Sequence, residues 1–123
     1  MYVYSFEKPE VWKESKEFTK AIYNVTSGFP ESEKFGLFSQ LRRASVSVCS
    51  NIAEGSARNS NKDKAHFTTM AFSSAVEVLN QLIISCELNF ISENDYQTLR
   101  TLLESIINIL NALRIFQINK SLN

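Results

Sequence analysis

FSQLRRASVSVCSNIAEGSAR, running from Phe38 to Arg58, is the stretch that decides the fold, because Phe38, Leu41, Ser45, Val48 and Ile52 recur at steps of three and four. Such spacing gathers side chains on one side of a helix and defines a core face. At about 100° per residue, Arg43, Ser47, Ser50, Asn51, Glu54 and Arg58 fall on the opposite side, with Arg42 on the flank. A helix concerned only with packing would more often carry Glu, Lys and Ala there. That polar face is where function is sought.

Upstream, Pro9 suits a helix start, and Val11, Phe18, Ile22 and Val25 share one face, predicting a first helix over residues 9–26. Ser27-Gly28-Phe29-Pro30 breaks it. Pro30 with Glu31 and Glu33 is expected to open the second helix, over 31–57, because acidic groups suit the positive end of the helix dipole. Gly55 is expected near its end in the left-handed cap conformation, ahead of the polar turn Arg58-Asn59-Ser60-Asn61.

Downstream, Ser60 and Asp63 form a capping pair for a third helix over 61–89. Phe67, Ala71, Ser74, Val78 and Ser85 make one of its faces; Phe72, Val76, Leu79, Ile83, Cys86 and Phe90 make a second. Two apolar faces need two partners, which points to burial between subunits or deep in a bundle. Ser92 and Asp95 repeat the cap after a very short link, so the third and fourth helices are antiparallel neighbours. Tyr96, Leu99, Leu103, Ile106, Leu110 and Leu113 carry the fourth helix, over 93–118. The expected architecture is all-α: one domain over 1–123, an up-down-up-down antiparallel four-helix bundle.

Composition agrees. At 123 residues and 44% hydrophobic content the chain can bury one core, and three Gly with two Pro disfavour a turn-rich β fold. Formal net charge is zero, which counts against strong nonspecific binding to polyanions. The distribution is uneven: residues 1–33 carry four Lys against six Glu, whereas 34–64 carry six basic against two acidic groups. Basic charge therefore gathers around the opening stretch. Cys49 and Cys86 are far apart and, with the single His66, supply no four-ligand zinc set. No secretory signal and no membrane-spanning stretch is read from the sequence, so the expected location is the cytoplasm.

No nucleophile with a base, carboxylate pair or phosphate-cradling loop emerges, and the chain is expected to be no enzyme and to need no cofactor. Glu54 and Arg58, four apart with the acid first, would make an intrahelical ion pair worth about 0.2–0.5 kcal/mol. Arg42 and Arg43 point about 100° apart and cannot grip one phosphate together. Arg43 with Arg58, Lys62 and Lys64 is expected to form a basic rim at one end and side of the bundle, a candidate for phosphate contact. Ser47, Ser50, Asn51 and Glu54 are expected in a subunit contact, since short polar side chains let another helix approach. Trp12, Tyr2, Tyr4 and Phe6 read as packing for the N-terminal arm rather than as base-stacking groups.

The run QLRRASVSVCSNIAEGSAR, followed by Phe67, Ala71, Ser74 and Glu77, resembles the 23S rRNA intervening-sequence protein family. That family carries Q-[LI]-R-R-A-x-x-S, then N-I-A-E-G and a basic turn, then F-x-x-x-A-x-x-S-x-x-E. Gln40, Arg42, Arg43, Ala44, Ser47, Asn51, Ile52, Ala53, Glu54, Gly55 and Arg58 fit the first part, and the resemblance extends from about Phe6 to Leu113. It implies an up-down bundle assembling into a homopentameric ring, which would use the second apolar face with Phe72, Val76, Leu79 and Ile83. It implies no established enzyme activity. A related branch, the accessory variability protein of diversity-generating retroelements, binds nucleic acid and a reverse transcriptase through a basic pentamer surface. The resemblance thus implies two functions: RNA, DNA or ribonucleoprotein binding through Arg42, Arg43, Arg58, Lys62 and Lys64, or a structural adaptor whose oligomer presents an interface to a protein.

Overall fold

The computed structural model describes residues 1–123 and contains four α-helices and no strand. These are α1 (Glu10–Thr26), α2 (Leu37–Ser56), α3 (Asn61–Glu87) and α4 (Glu93–Ser121). Short 3-10 turns at Ser5–Glu7 and Glu31–Glu33 precede the first two. Each helix packs on its sequence neighbours, and α1 closes the circuit on α4. The cross-helix partners run in opposite senses. Thr19 meets Ser45 while Arg42 reaches Thr26; Ser47 meets Ser74 while Gly55 abuts Phe67; Cys86 meets Glu93 while Arg114 covers Phe72. Neighbours are therefore antiparallel, as short links require.

The core is the strip the spacing marked out. Ile22, Leu41, Val78, Leu82, Leu103, Ile106 and Leu110 are fully buried, and Val48 and Phe18 join the same cluster. On α3 the strip continues with Ala71 and Ala75, whose small side chains let neighbouring helices approach. Ser15, Thr26 and Thr68, also buried, donate their hydroxyls to carbonyls one turn back and so remain satisfied. Both capping pairs form: Ser60 Oγ accepts from the Asp63 amide at 3.1 Å and Ser92 Oγ from the Asp95 amide at 3.0 Å.

Several boundaries differ from expectation. The second helix begins at Leu37 rather than 31, because Gly36 leaves the helical region and Glu33 folds back to accept from the Leu37 amide at 3.0 Å. Residues 31–33 form only a 3-10 turn. Gly55 is no left-handed cap, since no glycine has positive φ. It lies inside α2, where a Cβ would sit 3.0 Å from Phe67 Cβ, so its role is close approach of α2 to α3. The left-handed residue is Asn89, just beyond α3, which ends at Glu87. The fourth helix continues past 118 to Ser121.

The second apolar face of α3 finds its partner within the chain. Phe72, Leu79 and Ile83 are half-buried against the core, and the Arg114 guanidinium of α4 lies 4.6 Å from the Phe72 ring centroid. Val76 alone among the four stays substantially exposed. A middle helix of a bundle has two flanking helices, so two faces do not require a second subunit. By length and apolar content, α3 and α4 are each long enough to cross a membrane, contrary to the expectation that no stretch qualifies. In this fold their apolar strips are turned onto one another and onto α1 and α2.

Candidate nucleic-acid interface

The five basic residues singled out above separate into three places. Arg42 is built into the fold. Its Nε donates to Thr26 Oγ1 and its Nη2 to the Tyr23 carbonyl, both at 2.9 Å, and its guanidinium lies 4.3 Å and 4.0 Å from the Tyr23 and Phe38 ring centroids. The cation thus sits on a last-turn carbonyl of α1, at the negative end of that helix. Two of its three nitrogens are engaged in this clamp, which gives Arg42 a structural place between α1 and α2.

Arg58, Lys62 and Lys64 gather at the α2–α3 turn, at the other end of α2. Arg58 lies past the last residue of α2 and stacks 4.5 Å from the Phe67 ring centroid. It makes no ion pair with Glu54: the pairs within 4.0 Å are Glu10–Lys13, Glu17–Lys20 and Arg100–Glu104. The three cations of the turn therefore have no carboxylate partner. Lys62 is exposed; Lys64 is half-buried and lines a cavity beneath the N-terminal arm.

Arg43 stands apart. It lies about 22 Å from Arg58 at about 1.5 Å of helix rise per residue, so the two cannot belong to one compact rim. With Gln40, Ala44, Ser47 and Glu77 it lines an open pocket of about 330 Å³ between α2 and α3. Farther along the same seam, Ser47 Oγ and Ser74 Oγ are 3.0 Å apart, and Asn51 Nδ2 donates to the Ser47 carbonyl at 2.9 Å and to its hydroxyl at 3.1 Å. Asn51 is buried. The polar stripe of α2 thus borders α3 of the same chain instead of lying opposite the core, with Arg43, Ser50, Glu54 and Arg58 remaining exposed. The motif spacing found the stripe; it could not show that α3 leans over it.

The N-terminal arm offers a surface that sequence reasoning assigned to packing. Phe6 meets Trp12 edge-on at 5.1 Å, as expected, but Tyr2 and Tyr4 are 74% and 60% exposed. Ser5, next to Tyr4, lines the same cavity as Lys64, so the two exposed rings lie at the basic end. Residue order hid this, because Ser5 and Lys64 come to line one cavity only when the arm packs on α2.

Elsewhere the chemistry is quiet. Burial pushes the Cys49 thiol up, offset in part by its 3.5 Å contact with Thr19 Oγ1. Desolvation, then the hydrogen bond to Glu93, pushes the Cys86 thiol up. Neither is an activated thiolate. No three His, Cys, Asp or Glu side chains gather as a metal site.

Set against known proteins, residues 7–112 match the sequence profile of the 23S rRNA-intervening sequence protein family. The chain belongs to that family. Among solved structures, it is similar to a protein of unknown function from the S23 ribosomal protein family of Bacteroides thetaiotaomicron. The two share 23% identity with a TM-score of 0.79, over 85% of this chain and 94% of the other, a likeness of fold. No curated protein matches the chain. The family's motif residues now have places: Arg42 in the α1–α2 clamp, Ser47 and Asn51 in the α2–α3 seam, Gly55 at the α2–α3 crossing and Arg58 at the basic turn.

Proposed function

We propose that this intervening-sequence protein is a non-enzymatic, cytoplasmic bundle that binds RNA or DNA, alone or in a ribonucleoprotein, through its basic end. The observation that carries the reading is the cluster of Arg58, Lys62 and Lys64, three cations without carboxylate partners around one turn. Unpaired cations on a neutral protein are free to replace the counterions of a phosphate backbone. The exposed Tyr2 and Tyr4 of the N-terminal arm supply rings on which bases stack. Arg43 contributes from the flank, and Arg42 is left out. The test is a fluorescence-anisotropy titration of structured RNA and matching duplex DNA at two salt concentrations, with Arg58→Glu/Lys62→Glu beside the wild type. Affinity should fall steeply with salt, and the double variant should flatten the logarithmic salt slope by about two units. Unchanged affinity in the variant would remove this surface.

A second reading, an oligomeric adaptor, is favoured by α4. Leu102, Ile109 and Phe116 recur every seven residues and stay exposed. Beside Leu102 runs a groove of about 300 Å³ with Glu10, Lys13, Glu14 and Glu17 on its rim and Phe18 and Ile106 on its floor. A heptad stripe suits another copy of the chain, closing into a homopentamer, or a helix of a protein partner such as a reverse transcriptase. Ile109→Lys should then lower the native mass, whereas an unchanged mass would sink the α4 contact.

A further inference from the structure

The outer faces of the helices differ sharply in charge. On α1, the exposed residues between Trp12 and Ala21 are Lys13, Glu14, Lys16, Glu17 and Lys20, all of them charged. On α4, the exposed residues from Ser105 to Asn119 carry no charge, and Arg114 within that span is half-buried over Phe72. On α3, the exposed residues between Phe67 and Cys86 are Met70, Ser73, Val76, Glu77, Asn80 and Ile84, with Glu77 the single charge. A solvated helix face is normally rich in Lys and Glu, so two adjoining helices that lack them mark a surface built to be covered.

The two faces also match one another. Met70, Glu77 and Ile84 recur every seven residues on α3, with Val76 beside Glu77, as Leu102, Ile109 and Phe116 do on α4. Short side chains lie between them, Ser73 and Asn80 on one helix, Ser105 and Ala112 on the other. The Arg114 guanidinium over the Phe72 ring places those two residues at about the same height along the bundle. Counting from that pair along antiparallel helices, Met70 is level with Phe116, Val76 with Ile109, and Ile84 with Leu102. Rotation about an axis running along the bundle keeps those heights, so the two faces meet in register between copies.

We propose that the α3 face of one copy packs head to tail on the α4 face of the next. The inference rests on the oligomer reading above and names the surface that α4 meets. Pairing α4 with itself would leave the α3 face bare. Lipid tails would leave the interleaved Ser73, Asn80 and Ser105 without hydrogen-bond partners, which another helix supplies. Faces on neighbouring corners of a four-helix bundle look out about 90° apart, so head-to-tail contacts curve into a closed ring of about four or five copies rather than a filament.

The test reads the native mass of the full chain by light scattering for the wild type, Val76→Lys, Ile109→Glu and the double variant. Both positions are exposed, so unchanged helicity and Tm verify folding in each. The contact predicts an oligomeric wild type, single variants that fall to the mass of one chain, and a double variant that regains the wild-type mass, because the new ammonium of one copy then faces the new carboxylate of the next. A fall in mass with Ile109→Glu and none with Val76→Lys overturns the α3 contact while the α4 reading stands. A double variant that stays a single chain overturns the pairing of these two positions. A wild type that is a single chain overturns this contact and the oligomer reading together, and its flotation with phosphatidylcholine vesicles would assign the faces to lipid instead.

Discussion

Replacing Arg42 with Ala separates architecture from binding at a residue whose position in a motif suggests either. Two hydrogen bonds of 2.9 Å and two stacked rings are lost together. Hydrogen bonds to a charged group contribute about 1.5–3 kcal/mol each when buried, and cation–π contacts about 0.5–1 kcal/mol at exposed sites. Arg42 is half-buried, so water screens part of this, and the contacts share one side chain and do not add. A net loss of about 2–3 kcal/mol follows, roughly 6–12 °C in Tm for a domain of this size. Arg42→Lys should recover little of it, since an ammonium cannot serve Thr26 and the Tyr23 carbonyl in one plane while lying flat on two rings. Urea denaturation of the wild type and both variants measures the stability, and RNA titration of the folded fraction measures affinity. The reasoning is refuted if Arg42→Ala unfolds within about 0.5 kcal/mol of wild type, or if the folded variant loses affinity as a phosphate ligand would.

At Gly55, a valine should destabilise by about 1–2 kcal/mol in urea, because its Cβ starts 3.0 Å from Phe67 Cβ and its methyls overpack the α2–α3 crossing. The better helix propensity of valine offsets only a few tenths of that, and a stabilised variant would show that the helices can part. At the start of α4, the Gln97 amide donates to Glu93 at 2.9 Å and holds its carboxyl below the usual carboxylate range, assisted by Cys86. A lowered folded pKa means a contribution present above the unfolded value near 4.5 and lost as pH falls through the lowered one. Gln97→Leu should therefore be less stable than wild type at pH 7, with the gap closing in acid; a gap that widens in acid would contradict the assignment.

Local chemistry alone determined the helices. Apolar steps of three and four, two Ser-Asp caps and the turn at Arg58–Asn61 depend on residues a few positions apart, and each is written in the chain. The core strip through Leu41, Val48, Val78 and Leu103 follows from the same periodicity. The second helix starts late because a side-chain bond from Glu33 competes with its capping charge, and propensity does not see that bond.

What a polar residue does was decided by the tertiary structure. Periodicity gives a direction around one helix axis but not which neighbour lies in that direction, and the packing of α3 and the α1 terminus answered differently for each residue. Arg42 met the end of α1 and became a clamp; Asn51 met α3 and was buried; Gly55 met Phe67 and became a crossing point. Arg58 met no carboxylate and kept its charge free. Gln117 and Lys64, far apart in the chain, came to line one cavity only because α3 and α4 pack as antiparallel neighbours. A sequence specifies which groups a helix presents, whereas the charge, burial and partners of those groups belong to the space between helices, which exists only once they pack.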